Sequence, residues 1–372
     1  MFSRRLPWHA ATNAISRALT SKRQQHAPVL DLTESNPTQA GFLYPAQQIL
    51  KGFQDPRILV YDPESAGLAS ARHQIASAFS LDPEKLILTS STSEAYTWLF
   101  KLLCDPGDEV LVPQPSYPLF SHLAALESVV LRPYPLCYAG AWSIDLNALR
   151  EQITPRTKAI IIVNPNNPTG SYVANCELEE LSAICRQHDL ALISDEVFAD
   201  YALDPAHKFT PAAALLDTTT FSLNGLSKAV GMPQMKLAWI LTNNPDALGR
   251  LELIADTYLS VGTPVQYALP TLLAAREQVQ DQIRTRLRAN LKALQLRFRP
   301  RTVEGGWYAI LQVPRTMTEE EWVIKLLEEQ NVLVQPGYFY DFNSEAFLVL
   351  SLLTPESIFL KGLDRVHHVI NF

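Results

Sequence analysis

The six residues Lys158–Val163, KAIIIV, constrain this chain more than any other stretch. A run that is apolar almost throughout, with no polar alternation, reads as a strand covered on both faces, as inside a parallel sheet. Around it, short apolar runs alternate with longer amphipathic segments. Strands are predicted at Leu86–Thr89, Asp108–Val112, Val129–Tyr134, Leu190–Ser194, Thr219–Leu223 and Lys236–Leu241, and helices at Glu94–Cys104, Leu146–Gln152 and Leu178–Gln187. This rhythm predicts a doubly wound α/β domain with a mostly parallel sheet, whose ligands sit beyond the carboxyl ends of the strands. The pattern changes near Thr263. A long helical stretch to Leu296 is followed by strand Tyr308–Val313, helix Glu319–Glu329, strands Val332–Val334 and Phe347–Leu352, and a last helix from Pro355. These read as a smaller α+β domain. The expected partition is an arm and part of the small domain over 1–45, a large ligand-binding domain over 46–265, and the long helix with the small domain over 266–372.

Charge and motifs exclude several function classes. With 31 basic and 38 acidic residues the net charge is -7, which argues against a basic nucleic-acid-binding face. No apolar run approaches the ~18 residues of a membrane span. Dinucleotide, phosphate-loop, serine-hydrolase and zinc-protease signatures are absent. Cys104, Cys137, Cys176 and Cys185 form no C-x-x-C pair and the histidines are scattered, so free thiols and no metal site are expected. Residues 1–30 carry Arg4, Arg5, Arg17, Lys22 and Arg23 without an acid. They read as a structural arm with a helix over Ala14–Arg23, a transit peptide being the alternative, and the expected location is cytoplasmic.

Four polar clusters fall where strands should end. Thr89–Ala95 (TSSTSEA) stands between a strand and a helix, where hydroxyls and backbone N–H groups suit a phosphate. A plain N-cap at Ser93 is the simpler alternative. Asn164–Gly170 (NPNNPTG) follows KAIIIV and places amides with donor and acceptor capacity on a tight loop. Ser194-Asp195-Glu196 puts a carboxylate at a strand end, to meet a cation or to cap a turn. Gly225-Leu226-Ser227-Lys228 puts an amine there, and a partly desolvated amine has the lowered pKa needed to form a Schiff base with an aldehyde. With the aromatic Tyr117 in Pro115–Pro118, these groups are the binding set for pyridoxal 5'-phosphate.

In that order and spacing the motifs resemble the class I/II aminotransferases, fold-type I pyridoxal-phosphate enzymes, from Asp31 to about Leu353. The resemblance implies a fold-type I transferase with a mixed, mostly parallel sheet. It implies transfer of an amino group from an amino acid or amine to a 2-oxo acid. Lys228 would be the Schiff-base lysine, Asp195 the partner of the pyridine nitrogen, and Asn167 the amide at the ring 3'-oxygen. Tyr117 would stack on the ring, and Thr92, Ser93, Ser227 and Lys236 would belong to the cofactor's surroundings. Tyr61 resembles a tyrosine that reaches the neighbouring subunit's phosphate, which implies a homodimer with shared sites. Ser35-Asn36-Pro37 resembles a substrate-side loop. The pattern is broken at four places: Phe198 stands where a tyrosine is common, Gly225 for a serine, Lys236 for an arginine, and Val349 for the arginine that clamps the substrate carboxylate. Arg5 is a candidate replacement for that clamp. Trp8, Tyr44, Trp307, Tyr338 and Tyr340 are candidates for an aromatic pocket or for core. A lyase or decarboxylase on the same fold, and a non-catalytic cofactor-binding homologue, are the alternatives to transamination.

Overall fold

The computed structural model describes residues 2–6 and 12–370, so Trp8 lies outside the described residues. Among the described residues thirteen strands occur in chain order. They are β1 (Leu30–Asp31), β2 (Leu86–Thr89), β3 (Glu109–Gln114), β4 (Val130–Tyr138), β5 (Trp142–Ile144), β6 (Thr157–Val163), β7 (Ala191–Asp195), β8 (Thr220–Gly225), β9 (Ala238–Thr242), β10 (Tyr308–Gln312), β11 (Val332–Leu333), β12 (Gln335–Pro336) and β13 (Phe347–Ser351). Eight of them form one sheet in the order β2-β9-β8-β7-β6-β3-β4-β5. The four central pairs from β8 to β4 are parallel, while β9 and β5 run antiparallel to their neighbours.

The apolar run behaves as its composition requires. Ile161 and Val163 of β6 pack with Trp98, Leu99 and Phe221 on one face, and Ile160 and Ile162 pack with Leu181, Ile184 and Cys185 on the other. Helices on both faces of a parallel sheet leave its carboxyl edge as the place where loops converge.

A separate three-stranded sheet, β10-β13-β12, carries the second core. Ala309, Leu311, Leu348 and Leu350 face a cluster that includes Ile15, Leu32, Ile283, Leu326 and Phe359. Its other face carries Ile310, Phe347 and Val349, which pack with Tyr340 and half-buried Trp142, Tyr308, Phe339 and Phe342. Among the described residues no helix is long and apolar enough to cross a membrane.

Several elements differ from expectation: β4 runs on to Tyr138 and pairs with β5, which was not predicted, the helix predicted from Leu178 starts at Asn175, and three further differences bear on the site and its framework. Helix Thr92–Leu103 starts two residues before Glu94, because Ser91 and not Ser93 is its N-cap. The Ser91 hydroxyl accepts from the Glu94 N–H at 3.2 Å and the Glu94 carboxylate accepts from the Ser90 N–H at 2.6 Å, so one bond satisfies a free donor of the first turn and the other ties down the residue before the cap. The stretch from Thr263 is two helices, Thr263–Ala274 and Arg276–Gln295. The first packs Ala268 and Leu272 against Leu88 and Trp239, and the second packs Ile283 and Leu287 into the other core. Strand β7 runs one residue further than predicted, which makes Asp195 its last residue.

Candidate functional site

The loop after β6 is built by its own amides. The Asn166 side-chain oxygen accepts from the Thr169 N–H (3.3 Å) and hydroxyl (3.0 Å), and that of Asn164 accepts from the Val173 N–H at 3.0 Å. The Asn164 N–H donates to the Asp195 carbonyl at 2.8 Å, which ties the loop to the end of β7. Gly170 lies at φ +68°, and a Cβ there would stand 2.5 Å from the Gly305 carbonyl oxygen. Only glycine lets the two backbones approach this closely. The Gly305 N–H donates back to the Gly170 carbonyl at 2.8 Å, and the chain then leads directly into Trp307. Asn167 is thereby held buried, and its Oδ1 has no hydrogen-bond partner among the described residues.

Strand alternation separates the two acids of Ser194-Asp195-Glu196. Asp195 accepts from the Tyr96 hydroxyl at 3.0 Å and from the Val197 N–H at 3.2 Å. Glu196 turns the other way, accepting from the Ala212 N–H (2.8 Å) and the Ser222 hydroxyl (2.7 Å). Burial pushes the Asp195 carboxyl up to about 6, against the pull of the Val197 N–H, the Tyr96 hydroxyl and the Lys228 charge. Burial pushes Glu196 up to about 7.

Lys228 follows β8 on the short helix Leu226–Ala229. Its backbone carbonyl accepts from the Tyr201 hydroxyl at 2.6 Å and from the Gly231 N–H at 3.1 Å. Its Nζ lies 4.4 Å from the centroid of the Trp307 ring and 5.3 Å from that of Phe198. Those rings pack edge to face at 5.3 Å and wall the amine with apolar surface. Burial brings the amine down to about 8, opposed by the charge of Asp195. At pH 8 about half of such amines are neutral, where an ordinary lysine is almost fully charged.

Tyr117 packs edge to face on Phe120 (5.8 Å), and Phe120 does the same on Tyr96 (5.2 Å), so these three rings brace one another beside Asp195. Burial, reinforced by the Asp195 charge, raises the Tyr117 hydroxyl to about 12. Thr92 and Ser93 occupy the first turn of helix Thr92–Leu103, where backbone N–H groups point outward. Half-buried Ser227 precedes the lysine.

Two predicted residues stand apart from this group. Lys236 is exposed on a left-handed turn at φ +50°, and its ammonium makes no ion pair or hydrogen bond among the described residues. Tyr61 is 80% exposed, beside exposed Leu59 and Val60, on a loop lining a cavity of about 180 Å³ with Ser65, Trp98 and Ser260. Of the candidate pocket aromatics, Trp307 borders the amine, Tyr340 is buried, Tyr44 donates to the Gly231 carbonyl at 2.6 Å, and Tyr338 is exposed. Phe198 offers a ring and no hydroxyl. Arg5 is exposed, and β13 places Val349 between Ile310 and Gln335 with no cation on that strand.

These groups fit pyridoxal 5'-phosphate. Among the described residues, Asn167 Oδ1, Ser116 Oγ and Trp307 Nε1 are buried polar atoms without hydrogen-bond partners, and each is on or next to a residue of the group. A buried polar group left unpaired is costly, and a polar ligand bound among these residues would satisfy such atoms. Asp195 suits a pyridinium nitrogen, Lys228 an aldehyde, and the first turn of helix Thr92–Leu103 a phosphate. Sequence reasoning missed Tyr96, whose position inside a helix looks like ordinary core.

Residues 27–358 match the family of aminotransferase class I and II. The glutamate-pyruvate aminotransferase AlaA of Escherichia coli is 31% identical over 264 residues, which are 68% of this chain and 65% of that protein. The chain thus matches just under two thirds of the length of this curated relative. The alanine aminotransferase of Mycobacterium bovis is 29% identical over 74% of this chain and 72% of its own. The alanine aminotransferase of Pyrococcus furiosus has the same fold along its whole length, with a TM-score of 0.89 and 24% identity. A mutant aspartate aminotransferase of Thermus thermophilus shares it with a TM-score of 0.85, 26% identity and 99% of both chains covered.

Proposed function

Because the chain belongs to the class I and II aminotransferases, we propose that it is a pyridoxal 5'-phosphate-dependent aminotransferase that carries an amino group from an amino acid or amine to a 2-oxo acid. The observation that carries this reading is the convergence of Lys228, Asp195 and Asn167 at the carboxyl edge of β6, β7 and β8, with the amine tuned to about 8. When bound, the cofactor supplies an electron sink that stabilises negative charge at the substrate Cα.

The protein's part is binding, orientation and proton movement. The Lys228 Nζ is positioned to take the Cα proton and to return it on the other side of the transfer, since its neutral form is well populated near pH 8. Asp195 keeps the ring nitrogen protonated, and the Asn167 amide meets the ring oxygen. Tyr117 covers the ring face. The N–H groups and hydroxyls of Thr92 and Ser93 hold the phosphate, with Ser227 beside Lys228. Trp307 and Phe198 exclude water from the amine.

The direct test is a half-reaction. Purified protein loaded with the cofactor should convert it to its amine form, with one equivalent of keto product per site, on addition of a suitable amino donor. A protein that binds the cofactor and releases an alkene or carbon dioxide instead would overturn transamination. The donor panel should include pairs that differ only in the α-carboxylate. Val349 supplies no bidentate partner, a contact worth about 1.5–3 kcal/mol. The carboxylate should therefore change kcat/KM by less than about tenfold, and a preference above about a hundredfold would show that another cation holds it.

A homodimer belongs to the same reading. Leu59, Val60 and Tyr61 expose three large side chains in a row, 86%, 60% and 80% accessible. A second copy covering this loop would bring Tyr61 to the neighbouring phosphate. Sedimentation should give a dimer, and Tyr61→Phe should weaken cofactor binding without changing the dimer. A monomer at micromolar concentration with full cofactor affinity would remove this part of the reading.

A further inference from the structure

The motif residues account for one end of Asp195 and leave the other unexplained. Its carboxylate accepts a 3.0 Å hydrogen bond from the hydroxyl of Tyr96, a residue 1% exposed in the interior of helix Thr92–Leu103. A buried tyrosine needs a partner for its hydroxyl, and this one has found the single carboxylate of the site. The hydroxyl stays protonated and able to donate: burial and the neighbouring Asp195 charge hold its own ionisation far above the ordinary range. The ring is fixed by Phe120 at 5.2 Å and Phe100 at 6.1 Å.

The helix adds a geometric consequence. Thr92 and Tyr96 are four residues apart, so they lie on one face, one turn along. Resting on the cofactor reading above, the same rigid helix faces the phosphate with its first turn and reaches Asp195 with its second. Two ends of one ligand are then set by one element, and Phe120 connects that element to Tyr117.

We propose that Tyr96 is a positioning residue of this active site: its hydroxyl orients Asp195 and keeps it ionised, so that the proton stays on the cofactor's ring nitrogen. The reason is elementary. A hydrogen bond to a carboxylate stabilises the anion. Without it, the balance between carboxylate with pyridinium and carboxylic acid with neutral pyridine moves toward the neutral pair. No atom is gained or lost; one proton is redistributed between two partners.

The test uses protein reconstituted with cofactor labelled with 15N in the ring, and reads the ring-nitrogen chemical shift at pH 7.5. Tyr96→Phe removes one oxygen and should still fold and bind. Its 15N signal should move toward neutral pyridine, with the protonated-to-neutral ratio falling about tenfold. The rate constant of the donor half-reaction should fall by a similar factor with KM little changed. Tyr134→Phe is the matched control: that tyrosine is equally buried, but its hydroxyl donates to the Ile161 carbonyl at 2.7 Å. It should leave the 15N signal in place. A second measurement needs no cofactor: the Asp195 carboxyl, followed by 13C, should titrate higher in Tyr96→Phe than in the unmodified protein. An unchanged 15N signal or an unchanged Asp195 titration in Tyr96→Phe overturns the proposal. If Asp195→Asn also leaves the 15N signal unchanged, the fault lies instead with the assignment of Asp195 to the ring nitrogen.

Discussion

Replacing Lys228 with alanine is expected to lower amino transfer by roughly 100- to 10,000-fold or more, the range lost with a positioned proton-transfer group. Position and protonation state both support the size of the effect. The amine projects from a short helix at the end of β8, and Trp307 and Phe198 wall it at 4.4 and 5.3 Å. Burial brings it to about 8, against an ordinary 10.5. A neutral amine is therefore available near physiological pH, beside two aromatic rings. Lys228→Arg separates charge from proton transfer. Arginine keeps a cation there but does not give up its proton, so it should be nearly as inactive as alanine. Borohydride treatment of the loaded protein should leave a cofactor adduct on the peptide containing residue 228, identified by mass. An Ala variant that still forms such an adduct elsewhere, and turns over within tenfold of the original, would remove Lys228 from its role. The stability effect runs the other way. A lysine whose pKa is depressed by burial costs the folded state most when charged, below about pH 8, and this cost is relieved as pH rises from about 8 toward 10.5. Lys228→Ala should therefore melt no lower than the original at pH 7.

The parts of the fold that depend on local pattern were legible in the sequence. KAIIIV carries no polar alternation, and β6 is indeed packed on both faces. The NPNNPTG loop was legible because its asparagines bond to near neighbours in sequence, Asn166 to Thr169 and Asn164 to Val173, at 3.0–3.3 Å. Features set by partners distant in sequence were not. That β9 runs antiparallel to β8 and β2 follows from pairing across the sheet, and no residue of Ala238–Thr242 encodes it alone. Ser91, Thr92 and Ser93 are all competent N-caps, so the start of the helix is decided by which hydroxyl the chain brings over the Glu94 N–H. Tyr96 has helical spacing among Ala95, Leu99 and Phe100 and reads as core; only the crossing of its helix over the end of β7 gives its hydroxyl a carboxylate. The resemblance puts Lys236 near the phosphate; the sequence does not show the left-handed turn at φ +50° on which it stands exposed.

Asp195→Asn should divide function from stability. Asparagine keeps the shape and still accepts from Tyr96 or Val197, but it carries no charge to hold a protonated ring nitrogen. A buried cation left without its anion costs about 3–5 kcal/mol, so turnover should fall by about 100- to 1,000-fold or more while some cofactor is still bound. In the cofactor-free protein the same carboxylate is a burden, because burial raises it from 3.8 to about 6. A carboxyl raised on folding contributes stability that is complete below pH 3.8 and is lost as pH climbs through about 6. The Asn variant has no such titration. Its melting temperature, measured without cofactor, should gain on the original between about pH 4 and pH 6 and hold that lead at pH 8. Saturating cofactor should reverse the order at pH 8, because binding stabilises the form whose charge meets it. Unchanged turnover would remove the electron-sink partner from position 195. A melting difference that does not vary with pH would show that Asp195 is ionised in the empty site at no cost, and the desolvated crevice inferred from its burial would then have to be abandoned.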